Sequence, residues 1–228
     1  MRRRSVSDLV EIYRRQNAPQ IDGYLRYFRE LNSVEKAICD ACHGRKGTIH
    51  PHQHLVGKVR LEAAKVLLLA KSRELTDASS FEEILAIVEA ARRQIHGFGE
   101  LAVYDTSLRI SAFLEKLPMV VYLHAGTKVG CRALGVSTRG GKVEMSRLPP
   151  AIQTLMPYQA EDFLCIYKEE LAESVTSNEQ ANGEEHSDAT GRRSCSEEQL
   201  DHCENQASLL SPKPKLISIN TPKFNQRF

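Results

Sequence analysis

A mainly all-α protein is what the sequence predicts: a compact multi-helix domain over residues 1–172 and a disordered polar tail over 173–228. Three observations carry that expectation. Apolar residues recur at three- and four-residue spacing through most of the first 172 positions. The best strand-like run, Met119-Val-Val-Tyr-Leu-His124, is short, so at most one extended segment is expected. Beyond Glu173 the chain is rich in Ser, Asn, Glu and Gly with few apolar side chains, too few to offset the entropy lost on ordering.

The elements follow in order. Ser7 is placed to cap a first helix from Asp8 to about Gln16, with Leu9, Ile12 and Tyr13 on one face. Pro19 interrupts. A second helix is predicted over 21–39, through Tyr24, Leu25, Phe28, Leu31, Val34 and Ile38. The segment His43 to His54 has two Gly and a Pro and reads as a loop. A third helix over 55–74 is rich in Ala, Leu and Lys, all good helix formers. Ser80-Phe-Glu-Glu83 reads as a capping box opening a fourth helix that runs to about Ile95. A turn at His96-Gly-Phe-Gly99 leads to a fifth helix from Leu101 to Leu114, stopped by Leu117-Pro118. Thr127 is placed to cap a sixth over 128–134. Gly140-Gly141 marks a turn, and a last helix spans 158–171.

Composition bounds the function classes. The net charge of +2 divides unevenly: residues 1–172 hold 25 Lys and Arg against 20 Asp and Glu. A mildly basic domain is compatible with nucleic acid without demanding it. No apolar run approaches the roughly 18 residues of a membrane span. Met1-Arg-Arg-Arg leads into Ser5-Val-Ser-Asp with no apolar core, so no secretory signal is read there. A cytoplasmic protein with reduced thiols and no membrane partner is the expectation. The six Cys show no disulfide framework.

The most specific local pattern is Ala90-Ala-Arg-Arg-Gln-Ile-His-Gly-Phe-Gly-Glu-Leu-Ala102. It resembles the helix-hairpin-helix motif of DNA repair and replication proteins, over about residues 81–114. Gly97, Phe98 and Gly99 match that motif's two Gly around an apolar residue, and the flanking helices match too. The resemblance implies that Gly lets the backbone approach a phosphate while N–H groups of the next helix point at the anion. Two positions depart from the pattern: Glu100 follows the second Gly, and His96 stands where Pro is common. The active-site pattern of the base-excision glycosylases that carry the motif is not matched. The expected carboxylate would fall near Met119 to Leu123, and the hairpin has no Lys.

Two further constellations stand out. Cys39, Cys42, His43, His50, His52 and His54 lie close in sequence, and Cys39-x-x-Cys42 has zinc-site spacing. Buried helix thiols are the commoner outcome, so no metal or other cofactor is assigned. Tyr122-Leu-His-Ala-Gly-Thr-Lys128 reads as a strand end followed by a helix start with a cation, a generic anion site. His50, His52, Asp105, His124, Thr127 and Lys128 are candidates for a polar groove. Asp105 and Arg109 are also spaced to pair on one helix.

Three functions remain open at this level. The first is a non-sequence-specific module contacting the DNA or RNA backbone through Arg92, Arg93, Gly97, Phe98, Gly99, Arg109 and an Arg2 to Arg4 arm. The second is a small enzyme or metal-binding protein using His50, His52 and His124. The third is an interaction protein that takes a protein partner through its tail.

Overall fold

The computed structural model describes residues 4–44 and 53–172. The tail at 173–228, Arg2 and Arg3 of the arm, and His50 and His52 lie outside the described residues.

The chain opens with α1, Val6–Gln16, capped by Ser5 rather than Ser7. Ser5 Oγ accepts from Asp8 N, and the Asp8 carboxylate answers by accepting from Ser5 N at 2.9 Å. Asn17 alone separates it from α2, Ala18–Arg29, where Pro19 sits in the first turn. A proline there forfeits no helical hydrogen bond, so it starts this helix instead of breaking one.

The single helix predicted over 21–39 is two. After α2 the chain turns, Ser33 adopts extended backbone and caps α3, Val34–His43, by accepting from Lys36 N at 3.1 Å. Apolar spacing runs across this break and hides it. The helix predicted over 55–74 also divides, into α4, Lys58–Leu69, and α5, Ser72–Asp77, joined at Ala70 and Lys71. Good helix formers fill that junction too, so propensity gave no warning.

Ser80 caps α6, Phe81–Arg92, by accepting from Glu83 N at 3.3 Å. The Glu83 carboxylate reaches one residue further back than a capping box requires, to Ser79 N at 2.7 Å and Ser79 Oγ at 2.9 Å. The turn over His96 to Gly99 then leads to α7, Glu100–Phe113. Helix α7 is buried nearly all round, and its two interior serine hydroxyls are satisfied within the helix. Ser107 Oγ donates to Val103 O at 2.8 Å and Ser111 Oγ to Leu108 O at 2.9 Å.

The strand-like run contributes β1, Val121–Tyr122, paired antiparallel with β2, Lys142–Val143. Between them lies α8, Ala125–Ala133, and after them come a 3-10 turn at Met145–Arg147, α9, Pro150–Gln153, and α10, Pro157–Ile166. The last helix, predicted over 158–171, is interrupted at Tyr167, where α10 ends, and helical backbone resumes over 168–172. Helix α8 is capped by His124, not Thr127, which stands three residues inside the cap.

The described residues bury two apolar clusters. One gathers α2, α3, α4, α6 and α7 around Phe28, Ile38, Leu61, Leu68, Phe81, Ile84 and Phe98. The other gathers α1, β1, α8, α9 and α10 around Leu9, Tyr13, Val121, Ile152, Phe163 and Leu164. Helix α8 lies very close to α10 because Gly130 faces it: an added Cβ would stand 2.4 Å from Leu164 O. No described helix is long and apolar enough to cross a membrane.

Candidate functional site

The α6–α7 turn is built by three residues. Gly97 has φ 86°, a left-handed conformation that Gly adopts without penalty. Phe98 is buried in the first apolar cluster and pins the turn to the core. Gly99 caps α7 with no side-chain hydrogen bond. Two arginines fasten the turn, the exposed Arg60 and the half-buried Arg92. Arg60 Nε donates to His96 O at 2.8 Å, and Arg92 Nε donates to Phe98 O at 3.1 Å. Arg92 also pairs with Glu89 at 2.7 Å. The carbonyls of His96 and Phe98 are thus engaged, while Gly97, Gly99 and Arg93 are exposed. Arg92, Arg93, His96 and the Gly97–Gly99 backbone line a groove at this surface.

Arg109 is not there. It is 6 % exposed, deep in the first cluster. Its guanidinium donates to Asp105 Oδ2 and to Ala41 O, each at 3.1 Å, and lies 5.7 Å from the Tyr24 ring centroid. The correction follows from helix phase: Arg109 is buried with its i, i+4 partner Asp105 and cannot reach a phosphate at the turn. The pair expected from sequence spacing is formed.

A second polar group forms between α7, α8 and α10. His124 Nε2 stands 3.0 Å from Glu161 Oε1, both side chains buried. Thr127 fixes the imidazole from the other side. Its Oγ accepts from His124 N at 2.8 Å and donates to His124 O at 2.9 Å, which leaves it an acceptor 3.4 Å from Nδ1. That pattern holds the ring with Nδ1 beside Thr127 and Nε2 facing Glu161. Burial pushes the Glu161 carboxyl well above the usual carboxylate range, and nearby Asp105 and Asp162 push it the same way. Asp162 accepts from the Tyr13 hydroxyl at 3.0 Å.

Tyr104 completes the group, with its ring centroid 5.1 Å from that of His124. Its hydroxyl is fully buried and finds no hydrogen-bond partner among the described residues. Burial and the same three carboxyls hold it protonated. On one side of this wall is a cavity of about 480 Å³, lined by Leu85, Val103, Tyr104, Tyr122 and His124, with Lys128 at its edge. On the other is a smaller cavity of about 270 Å³, lined by Asp105, Arg109, Glu161 and Asp162.

The structure therefore brings His124, Thr127 and Lys128 together and places Asp105 behind Tyr104, facing the other cavity. Glu161 and Asp162 were not singled out from the sequence. Both sit on an apolar helix with no motif around them, Glu161 buried and Asp162 half-buried. Of the weak metal candidates, Cys42 is buried in the first cluster, which pushes its thiol up to about 12. His43 Nε2 stands 2.9 Å from Glu62 Oε2. Cys39 is half-buried and His54 exposed. Among the described residues, no group of three or more potential ligands is placed to hold a metal ion. Comparison of the chain with protein-family models, with curated proteins and with solved structures gave no match.

Proposed function

We propose that the protein binds the backbone of DNA or RNA, without sequence specificity, at the α6–α7 turn. The observation that carries this reading is the way the turn is fastened. Two of its carbonyls, those of His96 and Phe98, which would repel a phosphate, are engaged by Arg60 and Arg92. What faces outward is glycine backbone and a helix start that has no side-chain cap. Uncapped N–H groups at a helix start, with the positive end of the helix dipole behind them, attract a phosphate oxygen. Arg93 adds an exposed cation beside them. Such contacts read charge and shape, not bases.

Titration of the full chain with two unrelated short duplexes at low and moderate salt tests this. Both duplexes should bind alike and weaken as salt rises, with a slope set by one or two phosphates. Arg93→Ala should weaken both equally. Arg92→Ala is a poorer test, because Arg92 also holds the turn together. Glu100→Lys should tighten binding by removing a repulsion and adding an attraction. No measurable affinity at low salt, or affinity untouched by either change, refutes the reading.

A further inference from the structure

The arginine run at the start of the chain takes no part in that proposal. Arg2-Arg3-Arg4 is followed directly by Ser5 and then by the apolar Val6. Nowhere else in the chain does a Ser or Thr directly follow three cations. Ser5 is exposed, and its backbone is extended, with φ −71° and ψ 164°. An extended segment that offers a hydroxyl, with guanidinium groups on its N-terminal side, suits the acidic substrate groove of a protein kinase. Ser7 is exposed too, but it lies inside the first turn of α1, where its neighbours are already helical.

The Ser5 hydroxyl is also engaged. Its Oγ donates to Asp8 Oδ2 at 2.8 Å and accepts from Asp8 N at 3.2 Å, and Ser5 N donates to the same carboxylate. These bonds hold Ser5 as the cap of α1. A kinase must draw Ser5 and Val6 out together, and Val6 packs half-buried against the second apolar cluster. The end of a helix opens at far smaller cost than its middle, so the first turn of α1 can supply that segment. We propose that Ser5 is a phosphorylation site for an arginine-directed serine kinase, and that the Asp8 cap guards it. Ser5 Oγ attacks the γ-phosphorus of ATP. The Oγ–P bond forms as the bond to the bridging β,γ-oxygen breaks, ADP leaves, and the hydroxyl proton passes to a base of the kinase. The phosphate then sits at the positive end of α1, where unpaired N–H groups receive an anion.

The full chain is incubated with ATP, magnesium and the catalytic subunit of cyclic-AMP-dependent kinase, which selects serines behind paired arginines. Mass spectrometry should place phosphate on Ser5, with the label lost in Ser5→Ala and kept in Ser7→Ala. Arg3→Ala should slow the transfer about tenfold, the loss of one charge-assisted contact. Asp8→Asn should speed it about fivefold, because it weakens the cap that withholds the hydroxyl. Two other hydroxyls stand shortly behind a basic pair, Thr48 and Ser194. Phosphate confined to those two, no phosphate at all, a rate indifferent to Arg3→Ala, or a rate unchanged in Asp8→Asn overturns the proposal. The Arg3 and Asp8 variants keep the test decisive even if Ser5→Ala does not fold.

Discussion

At Gly97 the backbone turns with φ 86°, and an added Cβ would stand 2.8 Å from Arg60 Nε. At Gly99 φ is −75°, and an added Cβ meets nothing within 4 Å. The two glycines of one short motif therefore face different constraints. Gly97→Ala should cost about 2 kcal/mol, from a left-handed backbone and a displaced arginine. Gly99→Ala should cost less than about 1 kcal/mol, the loss of a tolerable cap residue. Urea unfolding of both variants checks the contrast, and equal losses would contradict it. The need for Gly at this turn was legible in the sequence, because two Gly around an apolar residue between helices leave few alternatives. Arg109 was not legible. A periodic pattern places a charge on a helix but does not say whether a neighbouring element covers it, and here α2 and α3 do. Tyr104 and Glu161 were hidden for the same reason: their environments are supplied by residues far away in sequence.

Helix starts were read unevenly: the cap at Ser80 was right, those at Ser7 and Thr127 were not. Ser80 was identified because a small hydroxyl residue before an apolar-periodic run has one common use. The partner of Glu83 was misread by one position, and that shift makes a prediction possible. Hydrogen bonds from Ser79 N and Oγ hold the Glu83 carboxyl below the usual range. A carboxyl with a depressed folded value adds stability that is fully present above its unfolded value, near 4.3. That stability is lost as pH falls through the folded value. Glu83→Gln should therefore be less stable than the parent at pH 7 and equal to it at strongly acidic pH. Unfolding curves across that range are the check, and a pH-independent difference would mean the carboxylate does not act through its charge. The break after Arg29 escaped notice because apolar spacing continues through it, and the break after Leu69 because helix propensity does. Only tertiary packing, with α3 lying against α4 and α7, requires the chain to turn there.

The expectation of one helical body was right in class but silent on its division into two cores. The first is served by α2 to α7 and the second by α1 and α8 to α10, with the Tyr104, His124 and Glu161 group lying where α7 meets the later helices. Sequence periodicity reports which faces are apolar, not which faces meet, so the division could not be read in advance. Leu164→Ala, in the second core, should cost about 2–5 kcal/mol there. Native-state amide exchange should then speed up in α1 and α10 while the slowest amides of α3 and α7 keep their protection. A uniform loss of protection would mean that the two cores open as one. The buried acid between them ties such breathing to proton traffic. Glu161 keeps its proton while dry. Water entering along that boundary favours the ionised carboxyl, so opening of the later helices weakens its hold on the proton. Rising pH should then favour the open form, as it does for any acid whose folded value is raised. The protein would loosen along this boundary as pH rises past the unfolded carboxyl value, the opposite trend from the Glu83 cap, which fails as pH falls.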